Sequence, residues 1–336
     1  MSTIGILGCG SAGILVVLEL LRLGIDPSRL LLVDEHFMGG DLATKWGSVR
    51  SNTRWVQITE ALKDYPTAAA PIQTLTEQYK PDDIVPLSDL AWLMRIAIAP
   101  ILPKVNMRTE RCISVRQTDN NWALIFASDT ESVETLYLCQ GGDPKVLDYG
   151  KPTIPLEVAL DKSRLANMIR ENQTCAVFGI AHSGTLVLRN LSELGVTTYG
   201  FYDGETPFLF ARDGHYDGIK QESAEIADTI LAGKLNGVSL VSFKNTKRLI
   251  QSLQRCDFIV CSIGFSTRSL QIQDQQGTSL SLNHSPATGL VYGTSLYGFG
   301  MAYPGETVVD GKVWKDISIP SFVNQIKRCL SVKYQV

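Results

Sequence analysis

Thr3-Ile4-Gly5-Ile6-Leu7-Gly8-Cys9-Gly10-Ser11-Ala12-Gly13-Ile14, continued by Leu30-Leu31-Leu32-Val33-Asp34-Glu35, is the stretch on which the reading of this chain turns. Ile4 to Leu7 reads as a short buried strand, and Gly8 to Gly13 as a GxGxxG turn. The run from Ile14 to Leu23 is almost wholly apolar, as in a helix packed between a sheet and its neighbours. A second buried strand then ends on Asp34, 21 residues past Gly13. Each part has a physical reason. Gly8 permits the tight turn, Gly10 lets the backbone approach a pyrophosphate, and Gly13 lets helix and strand pack closely. Ser11 and Ala12 open the helix, whose N-terminus offers free N–H groups and the positive end of its dipole to phosphates. Asp34, or failing that Glu35, accepts hydrogen bonds from an adenosine ribose. The spacing to the acid is longer than usual, and Asp26-Pro27-Ser28 reads as the extra loop that absorbs it.

The unit recurs. Cys175-Ala176-Val177-Phe178-Gly179-Ile180-Ala181-His182-Ser183-Gly184 is again strand and turn, followed by a helix through Leu194 and a strand from Thr197 to Tyr202. Asp203 comes 19 residues after Gly184. Alanine takes the place of the middle glycine and adds a methyl group near the phosphates. An acid at Asp203 favours a ribose 2′-hydroxyl and repels a 2′-phosphate, which prefers NADH over NADPH, while Arg212 nearby in sequence leaves NADPH open.

Around these two units the chain shows several glycine-bearing strand ends. Gly39-Gly40-Asp41 follows the first acid, and Leu138-Cys139-Gln140-Gly141-Gly142 closes a run of short strands. Ile263-Gly264-Phe265 and Gly298-Phe299-Gly300-Met301 repeat the pattern. Between Met107 and Gln140, the runs Cys112–Gln117, Trp122–Ala127 and Val133–Cys139 alternate with Asp-, Asn- and Ser-rich loops, which predicts an antiparallel meander. Helices are expected at 58–64, 72–79, 87–98 and, closing the chain, 321–330.

Composition bounds the function. The chain has 336 residues, 44% hydrophobic and 19% charged, with a net charge of -3. That describes an ordinary globular protein of two domains, with no electrostatic case for nucleic acid or an anionic membrane surface. The first strand starts at residue 3, so no cleavable leader is expected ahead of it. Seven cysteines at irregular spacing read as free thiols in a reducing compartment, which makes the cytoplasm the default location. No metal-ligand spacing and no Ser–His–Asp order stand out. His215, in a polar Asp-Gly loop, reads as part of a solvated turn.

Taken together these motifs resemble the flavoproteins with two dinucleotide-binding domains, among them the flavin-containing and N-hydroxylating monooxygenases and the thioredoxin-reductase-like enzymes. The resemblance covers nearly the whole chain. It implies an α/β fold of two Rossmann-like domains, the second inserted in the first, with an antiparallel β-meander. Residues 1–155 and 265–336 would form the FAD domain and residues 156–264 the inserted NAD(P)H domain. Gly8, Gly10, Gly13 and Asp34 look like the FAD fingerprint, with Gly39, Gly40 and Asp41 as the paired-glycine stretch behind it. Gly141, Gly142 and Gly264 look like the strand ends at the crossings between domains. Gly179, Ala181, His182, Ser183, Gly184 and Asp203 look like the nicotinamide-nucleotide site. Val49-Arg50-Ser51-Asn52-Thr53 resembles the monooxygenase loop in which an asparagine sits beside the flavin, a role that falls on Asn52, with Thr53 next to it. Three features depart from the pattern: no redox cysteine pair is present, Met301 follows Gly300 where an acid usually holds the ribityl chain, and Ile154-Pro155-Leu156-Glu157-Val158-Ala159-Leu160 stands where the monooxygenase linker motif (Phe-x-Gly then His) would lie. The implied activity is an FAD-dependent oxidoreductase taking hydride from NAD(P)H, monooxygenase-like on a small molecule. An NADH-dependent flavin reductase or a non-catalytic dinucleotide sensor is the alternative. Substrate contacts are expected from 46–79 and 202–220, and self-association as a homodimer is left open.

Overall fold

The computed structural model describes residues 4–170, 172–208, 221–309 and 312–334. The chain clusters into two compact units. One comprises Met1–Gly47, Trp55–Asp143 and Thr267–Val336; the other comprises Ser48–Arg54 and Pro144–Ser266.

The first unit is built on a six-stranded sheet. Strand β1 (Ile4–Leu7) lies between β2 (Leu30–Val33) and the strand Thr135–Leu138, parallel to both. Asn106–Arg108 extends the sheet beyond β2, and Leu296–Gly298 with its antiparallel partner Leu290–Tyr292 extends the other side. Every residue of β1 and β2 is buried, as expected of parallel strands covered on both faces. Successive side chains divide between two cores. Ile4, Ile6, Leu30 and Leu32 face helix α1 (Ser11–Arg22) and the helices Leu87–Ile98 and Ile319–Tyr334. Leu7, Leu31 and Val33 face Trp122, Leu124 and Val115 of a second sheet. That second sheet pairs Ser114–Gln117, Trp122–Ile125 and Thr130–Val133 antiparallel, with Gln271–Gln273 added parallel to its edge.

The meander is therefore present, but its third member is shorter than the sequence pattern suggests. The run from Val133 to Cys139 divides at Glu134. Thr130–Val133 stays in the meander, and the fully buried Thr135–Leu138 crosses to the parallel sheet beside β1. Alternation ends where both faces become covered, which is the signal the pattern carried. The helices expected at 58–64 and 72–79 run instead over Trp55–Leu62 and Ala69–Thr76. Both begin earlier because their buried faces do, at Trp55 and Ala68. Leu87–Ile98 matches its expected span, and the closing helix extends further than expected, from Ile319 to Tyr334.

The second unit holds a four-stranded parallel sheet in the order Val238–Ser242, Thr197–Tyr202, Thr174–Phe178, Phe258–Cys261. Helices His182–Glu193, Gln221–Leu231 and Thr246–Arg255 accompany it. Phe178 stacks between Tyr149 (ring centroids 4.8 Å apart) and Phe201 (4.9 Å), with Phe243 continuing the aromatic layer. No helix among the described residues is long and apolar enough to cross a membrane.

Candidate dinucleotide-binding sites

In the first unit the chain leaves β1 at Leu7 and turns at Gly8, whose N–H donates to the Val33 carbonyl at 2.8 Å. Gly8 has φ +104°, and a side chain there would overlap the Cys139 carbonyl. A side chain at Gly13 would overlap the carbonyl of Gly8, so glycine alone lets α1 start this close to β1. Gly10 caps α1 without any side-chain hydrogen bond, so the first N–H groups of the helix have no cap of their own. Two further glycine segments meet this turn. Gly10 bridges to Gly39, and a Cβ on Gly40 would stand 2.9 Å from the Gly10 Cα. A Cβ on Gly300 would stand 2.7 Å from that of Ala12. Gly8–Gly13, Gly39–Gly40 and Gly300–Met301, distant in sequence, are thus one cluster around the start of α1. Bare backbone on several sides of a helix N-terminus is the form of a cradle for a phosphate-bearing ligand.

Asp34 does more than wait for a ribose. Its Oδ2 accepts the Cys9 N–H at 2.7 Å, and its Oδ1 accepts the N–H groups of His36 (2.9 Å) and Phe37 (2.8 Å). The carboxylate therefore ties the glycine turn to the end of β2 while leaving lone pairs on Oδ2 for a hydroxyl. Glu35 beside it is exposed. Asp41 is engaged elsewhere: Arg268 Nη2 donates to its Oδ2, and Lys45 Nζ lies 3.4 Å from the same oxygen. Arg268 also donates from Nε to Asp143 (3.1 Å) and from Nη1 to the Gln140 carbonyl (3.2 Å), while its N–H faces the Gly141 carbonyl at 3.4 Å. This network fastens Gly141 and Gly142 to the returning chain, and no sequence motif announced Arg268.

The second unit repeats the turn closely. Gly179 N–H donates to the Phe201 carbonyl at 2.9 Å. Side chains at Gly179 and Gly184 would overlap the carbonyls of Ser262 and Gly179, as in the first unit. Ala181 caps its helix with φ −74° and ψ −156°, close to the −80° and −172° of Gly10. His182 and Ser183 open that helix, and the His182 carbonyl accepts the hydroxyls of Thr185 (2.7 Å) and Ser223 (3.1 Å). Gly264 stands past the end of Phe258–Cys261, its carbonyl accepting the Lys145 N–H at 2.9 Å.

Strand register sets the equivalence between the two units. Leu7 pairs with Val33, and Phe178 with Phe201, so the residue matching Asp34 is Tyr202; Asp203 matches Glu35. Asp34 follows Gly13 by 21 positions and Tyr202 follows Gly184 by 18; the three extra residues are Asp26-Pro27-Ser28. Counting from the glycine and allowing for that loop would have found Tyr202. Arg212 and His215 lie outside the described residues.

Asn52 is on the strand Arg50–Arg54, in the segment that clusters with the second unit. Its Oδ1 accepts the Thr53 hydroxyl at 3.3 Å, and Ser51 Oγ donates to the Thr53 carbonyl at 2.6 Å. Within the expected substrate stretch, a groove of ≈ 570 Å³ is lined by Thr59, Glu60, Lys63, Ile72, Gln73 and Thr76.

The cysteines are all free, and six of the seven are buried. Burial pushes every thiol up: Cys112 and Cys256 to about 11, Cys9 and Cys329 to about 12, and Cys139, Cys175 and Cys261 in the same direction. Cys256 and Cys261 form part of the second unit's apolar core. A thiol held protonated at neutral pH is a poor nucleophile, so thiol–disulfide exchange has no equipped residue here.

Parallel sheets headed by paired glycine turns, together with the meander, give the chain the two-domain fold of the FAD/NAD(P)-binding flavoproteins. No family model matches the chain. Monooxygenase AgnR1 of Paecilomyces divaricatus is 25% identical to it, over 96% of this chain and 95% of that protein. The flavin-containing monooxygenase from Stenotrophomonas maltophilia superposes with a TM-score of 0.64 at 12% identity, over 100% of this chain and 99% of the other. The bacillithiol disulfide reductase Bdr (YpdA) from Staphylococcus aureus does so at 0.64 and 11%, over 98% and 97%.

Proposed function

We propose that the protein is an FAD-dependent oxidoreductase that takes hydride from NAD(P)H and acts as a monooxygenase on a small molecule. The observation that carries this reading is the duplicated turn: Gly8/Gly13 and Gly179/Gly184 close on neighbouring carbonyls in the same way, each at the head of a parallel sheet. The similarity to a monooxygenase along nearly the whole chain, and the lack of any activated thiol, favour oxygen chemistry over disulfide reduction.

The residues of the first unit fit FAD. The N–H groups at the start of α1 would take the pyrophosphate, with Gly10, Gly40 and Gly300 keeping side chains out of its path. Asp34 would hold the adenosine ribose. In the second unit the start of the helix His182–Glu193 would take the nicotinamide dinucleotide, with Ala181, His182 and Ser183 beside its phosphates. Bound flavin supplies the acceptance of hydride and the reaction with O2; the protein orients it and shields it from water. Asn52 is the residue assigned to the flavin's reacting edge.

The test is the absorption spectrum of the purified protein, repeated under argon with NADH and then NADPH, and again on readmitting oxygen. A flavin spectrum that bleaches and recovers with substrate-dependent turnover supports the monooxygenase reading. Recovery without substrate dependence favours a flavin reductase. The methyl of Ala181 and the thioether of Met301 motivate a second reading, a dinucleotide sensor without turnover. Failure to take up FAD would put that reading first.

A further inference from the structure

Gln140 occupies a junction that none of the glycine motifs describes. It follows Cys139, whose carbonyl lies against Gly8, and its own carbonyl is held by Arg268. Its side-chain amide is hydrogen-bonded to the Tyr303 hydroxyl. Tyr303 is itself fixed: its N–H donates to the Gly300 carbonyl at 3.1 Å, and its ring packs over Gly298 and lies 5.4 Å from that of His284. Gly300 in turn abuts Ala12 in the first turn of α1. Gln140 thus touches two of the segments that form the cradle, the first glycine turn through its backbone and the Gly300 segment through Tyr303. Its Oε1 is buried and has no hydrogen-bond partner among the described residues. Folded proteins seldom leave a buried acceptor without a donor, and such atoms mark places where a ligand or water completes the bonding.

The chemistry of the occupant narrows what that donor is. This step rests on the reading that FAD lies in the first unit. Phosphate oxygens accept and cannot satisfy an amide oxygen, so a donor supplied by the cofactor beside its pyrophosphate would be a hydroxyl. FAD carries hydroxyls on both sides of it. Asp34 stands at the end of β2, on one side of β1, and serves the adenosine ribose. Gln140 follows Thr135–Leu138, on the opposite side of β1. We infer that Gln140 is a cofactor-binding residue whose amide oxygen accepts a hydrogen bond from the flavin's ribityl chain. The acceptor that Met301 lacks is thereby provided from a different strand.

Titration of FAD into the apoprotein, with ADP as a competitor that lacks the ribityl chain, tests this. Gln140→Leu is expected to weaken FAD roughly 5- to 10-fold, the range of one lost neutral hydrogen bond, and to leave ADP competition within about twofold. Gln140→Glu keeps an acceptor and is expected to retain FAD better than Gln140→Leu. Unchanged FAD affinity in Gln140→Leu overturns the inference while the FAD assignment stands. Equal loss of FAD and ADP also overturns it, since that reports general damage to the turn. A wild-type protein that takes up no FAD overturns both this inference and the functional reading beneath it.

Discussion

Replacing Gly10 by alanine separates the architecture of the first turn from its use. A Cβ built on Gly10 meets nothing nearer than the Gly40 Cα at 3.8 Å, an ordinary contact. The backbone at Gly10, φ −80° and ψ −172°, suits any residue, and Ala181 adopts nearly the same conformation in the second unit. Gly10→Ala should therefore fold as well as the parent, with a stability change within about 0.5 kcal/mol or a small gain from the stiffer unfolded chain. Its methyl points into the space that the pyrophosphate is assigned. An extra methyl in a well-packed site costs about 1–3 kcal/mol, equivalent to roughly 5- to 150-fold in Kd. Gly13→Ala is the contrasting control, because its Cβ would overlap the Gly8 carbonyl and the whole β1–α1 packing must give way. The assay is FAD quenching titration alongside thermal unfolding of the apoprotein. Loss of FAD affinity without loss of Tm is the expected result for Gly10→Ala, and loss of both for Gly13→Ala. A Gly10→Ala protein that binds FAD within about twofold of the parent would refute the placement of the phosphates over this turn.

Other consequences follow from named contacts. Tyr202→Asp places a carboxylate at the position matching Asp34, and should lower NADPH affinity relative to NADH by about tenfold or more, read as the ratio of the two Kd values; an unchanged ratio would remove Tyr202 from the ribose end of the site. Tyr65→Phe removes the hydroxyl that donates at 3.1 Å to Glu19, a carboxylate with 0% exposure otherwise held by Arg22, and should cost about 1–3 kcal/mol in urea unfolding. The buried thiols should alkylate slowly at neutral pH, with the half-buried Cys112 reacting first in timed mass spectrometry. They also set an alkaline limit. The folded state keeps protons that the unfolded chain releases near the ordinary value of 9.0, so this stabilisation is intact below that pH and is lost as pH rises toward the folded values of about 11–12. Tm should be flat near neutrality and fall from about pH 9 upward, and Cys329→Ala should make that fall less steep.

Much of this architecture is legible in the chain because its glycines are tied to shapes that other residues cannot adopt. Gly8 and Gly13, and again Gly179 and Gly184, stand at the spacing where a Cβ would strike a neighbouring carbonyl, so the motif and the steric requirement are one fact. Parallel strands were readable for a related reason. Leu30–Val33 sends alternate residues to two different cores, which forces a continuous apolar run where a one-sided strand would alternate. The same rule explains the misjudged meander strand. Val133 and Leu138 stand in one strand-like run with Glu134 between them, and three-dimensional pairing shows that Thr130–Val133 and Thr135–Leu138 serve different sheets.

The site was harder to read wherever its parts act through chain register or through atoms left over after folding. Asp203 drew attention because acids after a second strand are expected near a ribose, yet the pairing of Phe178 with Phe201 makes Tyr202 the residue that matches Asp34. The two turns are thus alike in backbone and unlike in the groups that face a ligand. Asp34 braces the first turn by holding the Cys9 N–H, and Gly10 leaves room for close approach. The second turn carries a methyl at Ala181 and an aromatic ring at Tyr202 in the corresponding places. A turn braced by a carboxylate, with glycine at its middle position, suits a ligand that stays; one with a methyl at that position and no such carboxylate among the described residues suits a ligand that comes and goes. That contrast matches a resident flavin and an exchanging nicotinamide, and Ala181→Gly puts it to the test. On this argument Ala181→Gly tightens NAD(P)H, slows its dissociation in stopped-flow, and leaves FAD affinity where it was.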